Sequence, residues 1–214
     1  MSNEQINVAV RAHEVSTEWH LKDMAMELYR FFELFNIEYF SKRLPLPLLT
    51  FKKSRQNNLG HFLSGRNDIG AQYEINLNSK HITRPLILSL VTLLHEMCHL
   101  AQDSLPGTYG EVGSGNHHGK QFIELTTKLG IPSTSRGVTE YVSDIFIEFC
   151  VRNGAPKIDR KDIEKGLAAI GKKKGNSKLK KWCCACDPVV NVRVAIEDFS
   201  ATCNVCHSKF KLEE

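Results

Sequence analysis

The stretch Leu93-Leu94-His95-Glu96-Met97-Cys98-His99-Leu100 decides how this chain is read. It lies within Arg84 to Gln102, the longest uninterrupted helical pattern in the sequence. Thr83 is placed to cap that helix, and Pro85 suits its first turn. Leu86, Leu90, Leu93, Met97 and Leu100 make one apolar stripe, while Leu88 and Val91 carry apolar character around to the other side. A helix apolar nearly all round is a buried one. Residues four apart sit about 40° apart around a helix axis, so His95 and His99 project together and can share one ion. Glu96 is offset by one position, outside that ligand geometry but within reach of a water on the ion. The pattern is that of zinc chemistry, in which the metal lowers the pKa of its water and a carboxylate takes the proton during attack on a carbonyl.

A catalytic zinc needs a third protein ligand and an open position. His117 and His118 are the leading candidates, within Gly115-Asn116-His117-His118-Gly119-Lys120-Gln121-Phe122; Asp103, Glu111 and Glu124 are acidic alternatives. The Gly-rich loop from Leu105 to Asn116 lets the chain turn back toward the first helix. Donors for an oxyanion are not singled out by spacing; Tyr109 and Arg136 are the unranked candidates.

Outward from this helix the pattern alternates in type. Trp19 to Phe40 repeats apolar residues at close to 3.6 and ends before Leu44-Pro45-Leu46-Pro47. Strands are expected at Leu48 to Lys53, His61 to Leu63 and Tyr73 to Leu77, with a turn at Gly65-Arg66-Asn67-Asp68. The alternation in Tyr73-Glu74-Ile75-Asn76-Leu77-Asn78 predicts one buried face and one solvated face. Gly119 to Leu129 reads as a further helix, stopped by Gly130 and Pro132, and Thr139 to Val151 fits either helix or strand. The class expected is α+β.

The chain has 214 residues, 42% hydrophobic and 24% charged, the balance of a globular protein rather than a disordered one. No apolar run reaches the roughly 18 residues of a membrane span, and Met1 to Gln5 begins no signal peptide, so no membrane partner and a cytoplasmic setting, with nucleoid association compatible, are expected. Residues 1–156 hold 15 Lys/Arg against 16 Asp/Glu, residues 157–181 hold 10 against 3, and residues 182–214 hold 3 against 5. The positive charge is therefore concentrated in one segment, read as a basic linker joining a domain over 1–156 to a tail over 182–214. Its core, Gly171 to Lys181, carries Lys172, Lys173, Lys174, Lys178, Lys180 and Lys181, a charge run fit either for solvation or for phosphate contact.

Five of seven cysteines fall within 24 residues. Clustered pairs in a chain without a signal peptide point to metal rather than to disulfides. Cys203 and Cys206 form one pair, and Cys186 with either Cys183 or Cys184 forms the other, with 16 residues between the pairs. Four thiolates fit a closed tetrahedral structural zinc, which a 33-residue tail needs because its core is too small to hold it folded. Spacing symmetry favours Cys183. His207 is a lesser alternative ligand.

Four segments together carry a family resemblance: Phe35 to Pro45; Leu59-Gly60-His61-Phe62 with Glu74 to Asn78; His95-Glu96-x-x-His99 with His118-Gly119-x-x-Phe122; and the cysteine tail. The chain resembles the SprT-like zinc metalloprotease family over most of residues 20–210. The resemblance implies a zincin-like domain, an active-site helix packed on a small β-sheet, followed by a zinc-ribbon-like module. It maps the third zinc ligand onto His118, with His117 as runner-up, and treats the long gap after His99 as an inserted loop. It also favours Cys184 over Cys183, through Lys181-Trp182 and then Cys184 and Cys186 ahead of Val190-Asn191-Val192-Arg193.

The resulting expectation is a zinc endopeptidase with one catalytic zinc on His95, His99 and His118, Glu96 as general base, and one structural zinc on the cysteines. The resemblance further implies protein substrates associated with or crosslinked to DNA, hence a role in DNA–protein crosslink repair. DNA would be recruited by residues 172–181 and the zinc module. The alternatives are a DNA-binding zinc protein with a vestigial protease site, and a metal-dependent hydrolase of non-protein substrates, which no nucleotide or sugar motif supports.

Overall fold

The computed structural model describes residues 8, 19–54, 58–68, 70–110, 118–171, 179–196 and 198–213. It divides into two compact units, Met1–Gly171 and Lys172–Glu214.

In the first unit, α1 (Lys22–Phe40) buries Leu28, Phe31, Phe32, Phe35 and Phe40. It stops where Ser41 and Lys42 turn left-handed, ahead of the prolines. The chain is then pinned back onto the helix. The Asn36 side-chain amide donates to the Leu44 carbonyl, and its oxygen accepts the Leu44 N–H, each at 3.0 Å. Tyr29 accepts the Leu49 N–H at 2.9 Å, which ties α1 to the first strand.

Three strands follow, β1 (Leu48–Thr50), β2 (Gly60–Ser64) and β3 (Tyr73–Leu77), in the order β1-β3-β2. β3 is central, parallel to β1 and antiparallel to β2. The mixed α+β class is as expected, but the solvated face predicted for β3 is not there: Glu74, Asn76 and Asn78 are all buried. The chain after β1 folds over that face, and the three polar side chains supply the hydrogen bonds its backbone would otherwise lack. Asn76 accepts the Lys52 N–H at 2.6 Å and donates to its carbonyl at 3.2 Å; Asn78 donates to the Asn58 carbonyl at 2.8 Å. Glu74 accepts from Thr50, Lys52 and Asn67 at 2.8–2.9 Å. Burial alone would raise the Glu74 carboxyl, but the hydrogen bonds from Asn67, Lys52 and Thr50 outweigh it and hold the group below the usual range.

A short 3-10 turn, Ser79–His81, leads into α2 (Leu86–Ser104), which carries the His-Glu-x-x-His sequence. Pro85 takes the cap position in place of Thr83, in an extended conformation that proline adopts readily. Every α2 residue from Ile87 to Cys98 is buried, as the apolar pattern predicts. The core joins Leu90, Leu93, Met97 and Leu100 of this helix to the α1 phenylalanines and to Ile75 and Leu77 of β3.

Further along the chain come α3 (Lys120–Lys128), α4 (Asp144–Arg152) and α5 (Arg160–Gly171). The ambiguous stretch ending at Val151 is helical from Asp144, because the Ser143 hydroxyl accepts the Phe146 N–H and caps it. Phe146 and Phe149 then stack on Phe35. α5 occupies part of the segment expected as linker. Its basic residues face solvent, but Ile163 is buried in the core and Leu167, one turn on, packs against it. An amphipathic helix is hidden inside the charge run.

The second unit is a three-stranded antiparallel sheet, β4 (Lys180–Cys183), β5 (Asn191–Val194) and β6 (Lys211–Leu212), ordered β5-β4-β6. Trp182, Phe199 and Phe210 pack edge to face beside it. No helix among the described residues is long and apolar enough to cross a membrane.

Candidate metal centres

One turn of α2 separates His95 from His99, and both rings point to the side that α3 approaches. His118, two residues before α3, completes the group. Its Nε2 lies 3.1 Å from His95 Nε2 and 3.2 Å from His99 Nε2. Three ring nitrogens around a tetrahedral zinc at roughly 2.0–2.1 Å would lie about 3.3 Å apart. The convergence therefore fits one shared ion.

The surroundings fix which nitrogen faces inward. Ser133 Oγ is 3.3 Å from His95 Nδ1 and donates its own proton to the Ile131 carbonyl, so the hydroxyl accepts from Nδ1–H. That assignment leaves His95 Nε2 with a lone pair aimed at the cluster. Burial, and secondarily the charge of His118, push His95 down to about 3, so the ring stays neutral and able to ligate. Phe122, fully buried in α3, stacks on His99 at 4.2 Å between ring centres and sets its edge against His95 and His118. One aromatic ring thus touches all three imidazoles.

Glu96 is buried beside them and accepts the Phe62 N–H of β2, which holds its carboxylate toward the cleft. Burial raises this carboxyl to about 8, with the Phe62 N–H acting the other way. A cation next to it favours the charged form. The cleft measures about 610 Å³ and runs along one face of α2 past Thr92, His95, Glu96, His99 and Asp103, with β2 as one wall and Arg136 to Thr139 as another.

Two glycines touch the site in a way that the sequence alone does not show. Gly137 has φ +74 and lies directly against the His118 ring, where a Cβ would fall 2.5 Å from Cε1. At Gly60 a Cβ would lie 2.9 Å from the Thr92 methyl and 3.1 Å from Glu96 Oε1. Each lets backbone approach the site more closely than any side chain permits. Gly60 lies in the Leu59-Gly60-His61-Phe62 segment of the family resemblance and Gly137 in no motif, and only the third dimension shows what either touches.

The remaining candidates separate. Asp103 lines the cleft and accepts from Ser64 Oγ at 2.9 Å, apart from the imidazole cluster. Glu124 is exposed on α3 and pairs with Lys120. His117 and Glu111 lie outside the described residues. Arg136 is at the cleft rim, whereas Tyr109 is elsewhere: its hydroxyl takes a hydrogen bond from Arg43 at 3.0 Å and its ring packs on Phe40.

In the second unit, Cys184, Cys186, Cys203 and Cys206 bring their sulfurs within 4.8 Å of one another. Cys186 and Cys203 are 3.6 Å apart, close to the roughly 3.8 Å edge of a tetrahedral four-thiolate zinc and far beyond a disulfide. The Cys186 N–H points at Cys184 Sγ, and the Ser208 hydroxyl, with its N–H, brings Cys206 down to about 6, toward the thiolate that metal binding requires. Cys183 is not in the group. Cys183 is the last residue of β4 and its thiol is turned toward the Glu213 carboxylate, whereas Cys184, just past the strand, turns its thiol into the group, as the alternation of an extended chain favours. The symmetric spacing that favoured Cys183 is thus outweighed by strand alternation. His207 is exposed at positive φ in the turn after Cys206 and lies outside the group.

A mixed α+β domain with three imidazoles converging beside a buried carboxylate defines a class, that of proteins with a candidate metal site built on a buried helix. The family follows from comparison. The SprT-like family model matches residues 28–141, the segment from α1 through the sheet, α2 and α3 to the cleft wall. The chain belongs to the SprT-like family, which is broadly of metalloprotease type. Among curated proteins and among solved structures, no match is found.

Proposed function

We propose that this protein is a zinc-dependent endopeptidase. The observation that carries the reading is the convergence of three Nε2 atoms next to Glu96, over an open cleft. Zinc held by His95, His99 and His118 would supply Lewis acidity, the property that makes water a nucleophile near neutral pH. Glu96 takes the proton of the attacking water and returns it to the leaving amine. The Phe62 N–H fixes the carboxylate in the position this transfer needs. β2 borders the cleft and has β3 as its only strand partner among the described residues, so an extended peptide can lie alongside it and bond main chain to main chain.

The substrates we propose are proteins bound or crosslinked to DNA. Support comes from the excess of ten Lys/Arg over three Asp/Glu in residues 157–181, next to a unit with a candidate structural zinc. Lys172, Lys173, Lys174 and Lys178 lie outside the described residues; Lys180 and Lys181 are on β4. A DNA-bound tail would raise the local concentration of DNA-bound substrate around the first unit. The intact Glu96 and histidine cluster favours this reading over a vestigial site.

The test is peptide hydrolysis by the purified zinc-loaded chain, with and without single- and double-stranded DNA, against Glu96→Gln. The reading requires cleavage by the parent chain and none by the variant at equal zinc content. Cleavage by neither, with DNA binding retained, would leave a DNA-binding zinc protein. DNA affinity that survives neutralisation of the six lysines would remove the strap.

A further inference from the structure

The cleft contains a charge that the proposed hydrolysis does not use. Arg84 immediately precedes the Pro85 cap of α2 and lines the cleft together with Leu88, Val91, Thr92 and Leu167. Its Nε donates to the His81 carbonyl at 3.1 Å and its Nη2 to Thr92 Oγ1 at 3.2 Å; the Leu88 carbonyl is at 3.5 Å, the limit of a hydrogen bond. Nη1 is buried and has no hydrogen-bond partner among the described residues. No carboxylate among them pairs with this guanidinium. Glu164 reaches Arg160 and Asp162 reaches Lys165 instead, both on α5. Burial pushes Arg84 down to about 10, which still leaves it charged at neutral pH.

That placement is unfavourable as pure architecture. Arg84 is partly buried, a cation drawn partly out of water without a counter-ion is costly, and a helix N-terminus carries partial positive charge of its own. Both effects favour an anion at this end of the cleft. Arg84 lines the cleft with a charge that no described carboxylate neutralises, and the planar guanidinium is the group suited to receive one. Leu88, Val91 and Leu167 line that end, and their aliphatic surface lowers the local dielectric, which strengthens such a pair.

The distance suits a side chain next to the scissile bond. Thr92, the anchor of Nη2, is three residues before His95 and four before Glu96, roughly 5 Å along the helix. The opposite end carries Asp103, already accepting from Ser64. A carboxylate is thus welcomed at one end and repelled at the other, which gives a bound chain a direction.

We infer that Arg84 is a specificity-determining residue that binds a carboxylate of the polypeptide substrate, an Asp or Glu side chain close to the cleaved bond. This rests on the peptidase reading above for its meaning but not for its test.

The zinc-loaded Glu96→Gln chain is immobilised and offered a degenerate pool of acetylated, amidated octapeptides. Retained peptides are sequenced. The expected result is enrichment of Asp and Glu of about fivefold or more over the pool. Adding Arg84→Gln abolishes it and Arg84→Glu turns it into Lys/Arg enrichment. Arg84→Lys, which keeps the charge and a donor for His81 or Thr92, retains it several-fold weaker, so the inference does not hang on a variant that fails to fold. A parallel pool with free C-termini separates the sources, since enrichment seen only there assigns the carboxylate to a chain terminus and overturns the side-chain assignment. Absence of acidic enrichment, or enrichment unchanged by Arg84→Lys and Arg84→Glu, overturns the inference altogether. If the parent chain cleaves none of the retained peptides while the selection persists, the peptidase reading falls and the carboxylate site stands.

Discussion

Gly137 packs its α-carbon against the imidazole of His118, leaving no room for even a methyl group between them. Its positive φ adds a second reason for glycine. Gly137→Ala should therefore move His118 out of the cluster. We expect loss of about one metal ion per chain, or at least a 10–100-fold weaker site, by analogy with the disturbance of groups that orient ligands. The cysteine site should be unaffected. Zinc titration with a competing chelator reads both sites in one experiment.

Ser133 governs the tautomer of His95. Ser133→Ala removes the acceptor for Nδ1–H and leaves a buried donor unpaired, at a stability cost of about 1–3 kcal/mol. Zinc affinity at the histidines should fall about 10-fold or more. Ser133→Thr, which keeps the hydroxyl, should restore most of it. Chelator competition together with thermal melting checks both effects.

The tail makes a sharper demand. Cys184→Ser should abolish the structural zinc and unfold the second unit, whereas Cys183→Ser should leave both intact. Tryptophan fluorescence reports on Trp182, which packs against Phe199 in that unit. The reverse outcome would mean that Cys183 is the ligand.

Glu74 makes the first unit acid-sensitive. Its folded carboxyl titrates below its ordinary value, so the folded state binds fewer protons than the unfolded state in that range. The associated stability is complete above the ordinary glutamate pKa of 4.5 and is lost as pH falls through the lower folded pKa. Melting temperature should drop more steeply with acid in the parent chain than in Glu74→Gln, which in turn should be the less stable at neutral pH. Parallel slopes would contradict this.

Much of this was legible because short-range rules dominate it. The His-Glu-x-x-His spacing needs only helical geometry, and the Phe-rich period of α1 and the apolar surround of α2 follow from burial. β3 misled because alternation is blind to a covering segment: Glu74, Asn76 and Asn78 look solvent-facing until the chain from Thr50 to Ser54 folds over them. α5 was masked by charge, since only Ile163 and Leu167 betray its buried face. Gly60, Ser133, Gly137 and Arg84 act through neighbours far away in sequence, and no local pattern records such contacts.

The central claim is that His95, His99 and His118 together hold a metal ion. Zinc content of the purified, metal-loaded chain tests it most directly, measured by elemental analysis for the parent and for His99→Ala. The account predicts two zinc ions per chain, falling to one in the variant while the cysteine site stays full. A parent holding a single zinc, or a variant that still holds two, would contradict it.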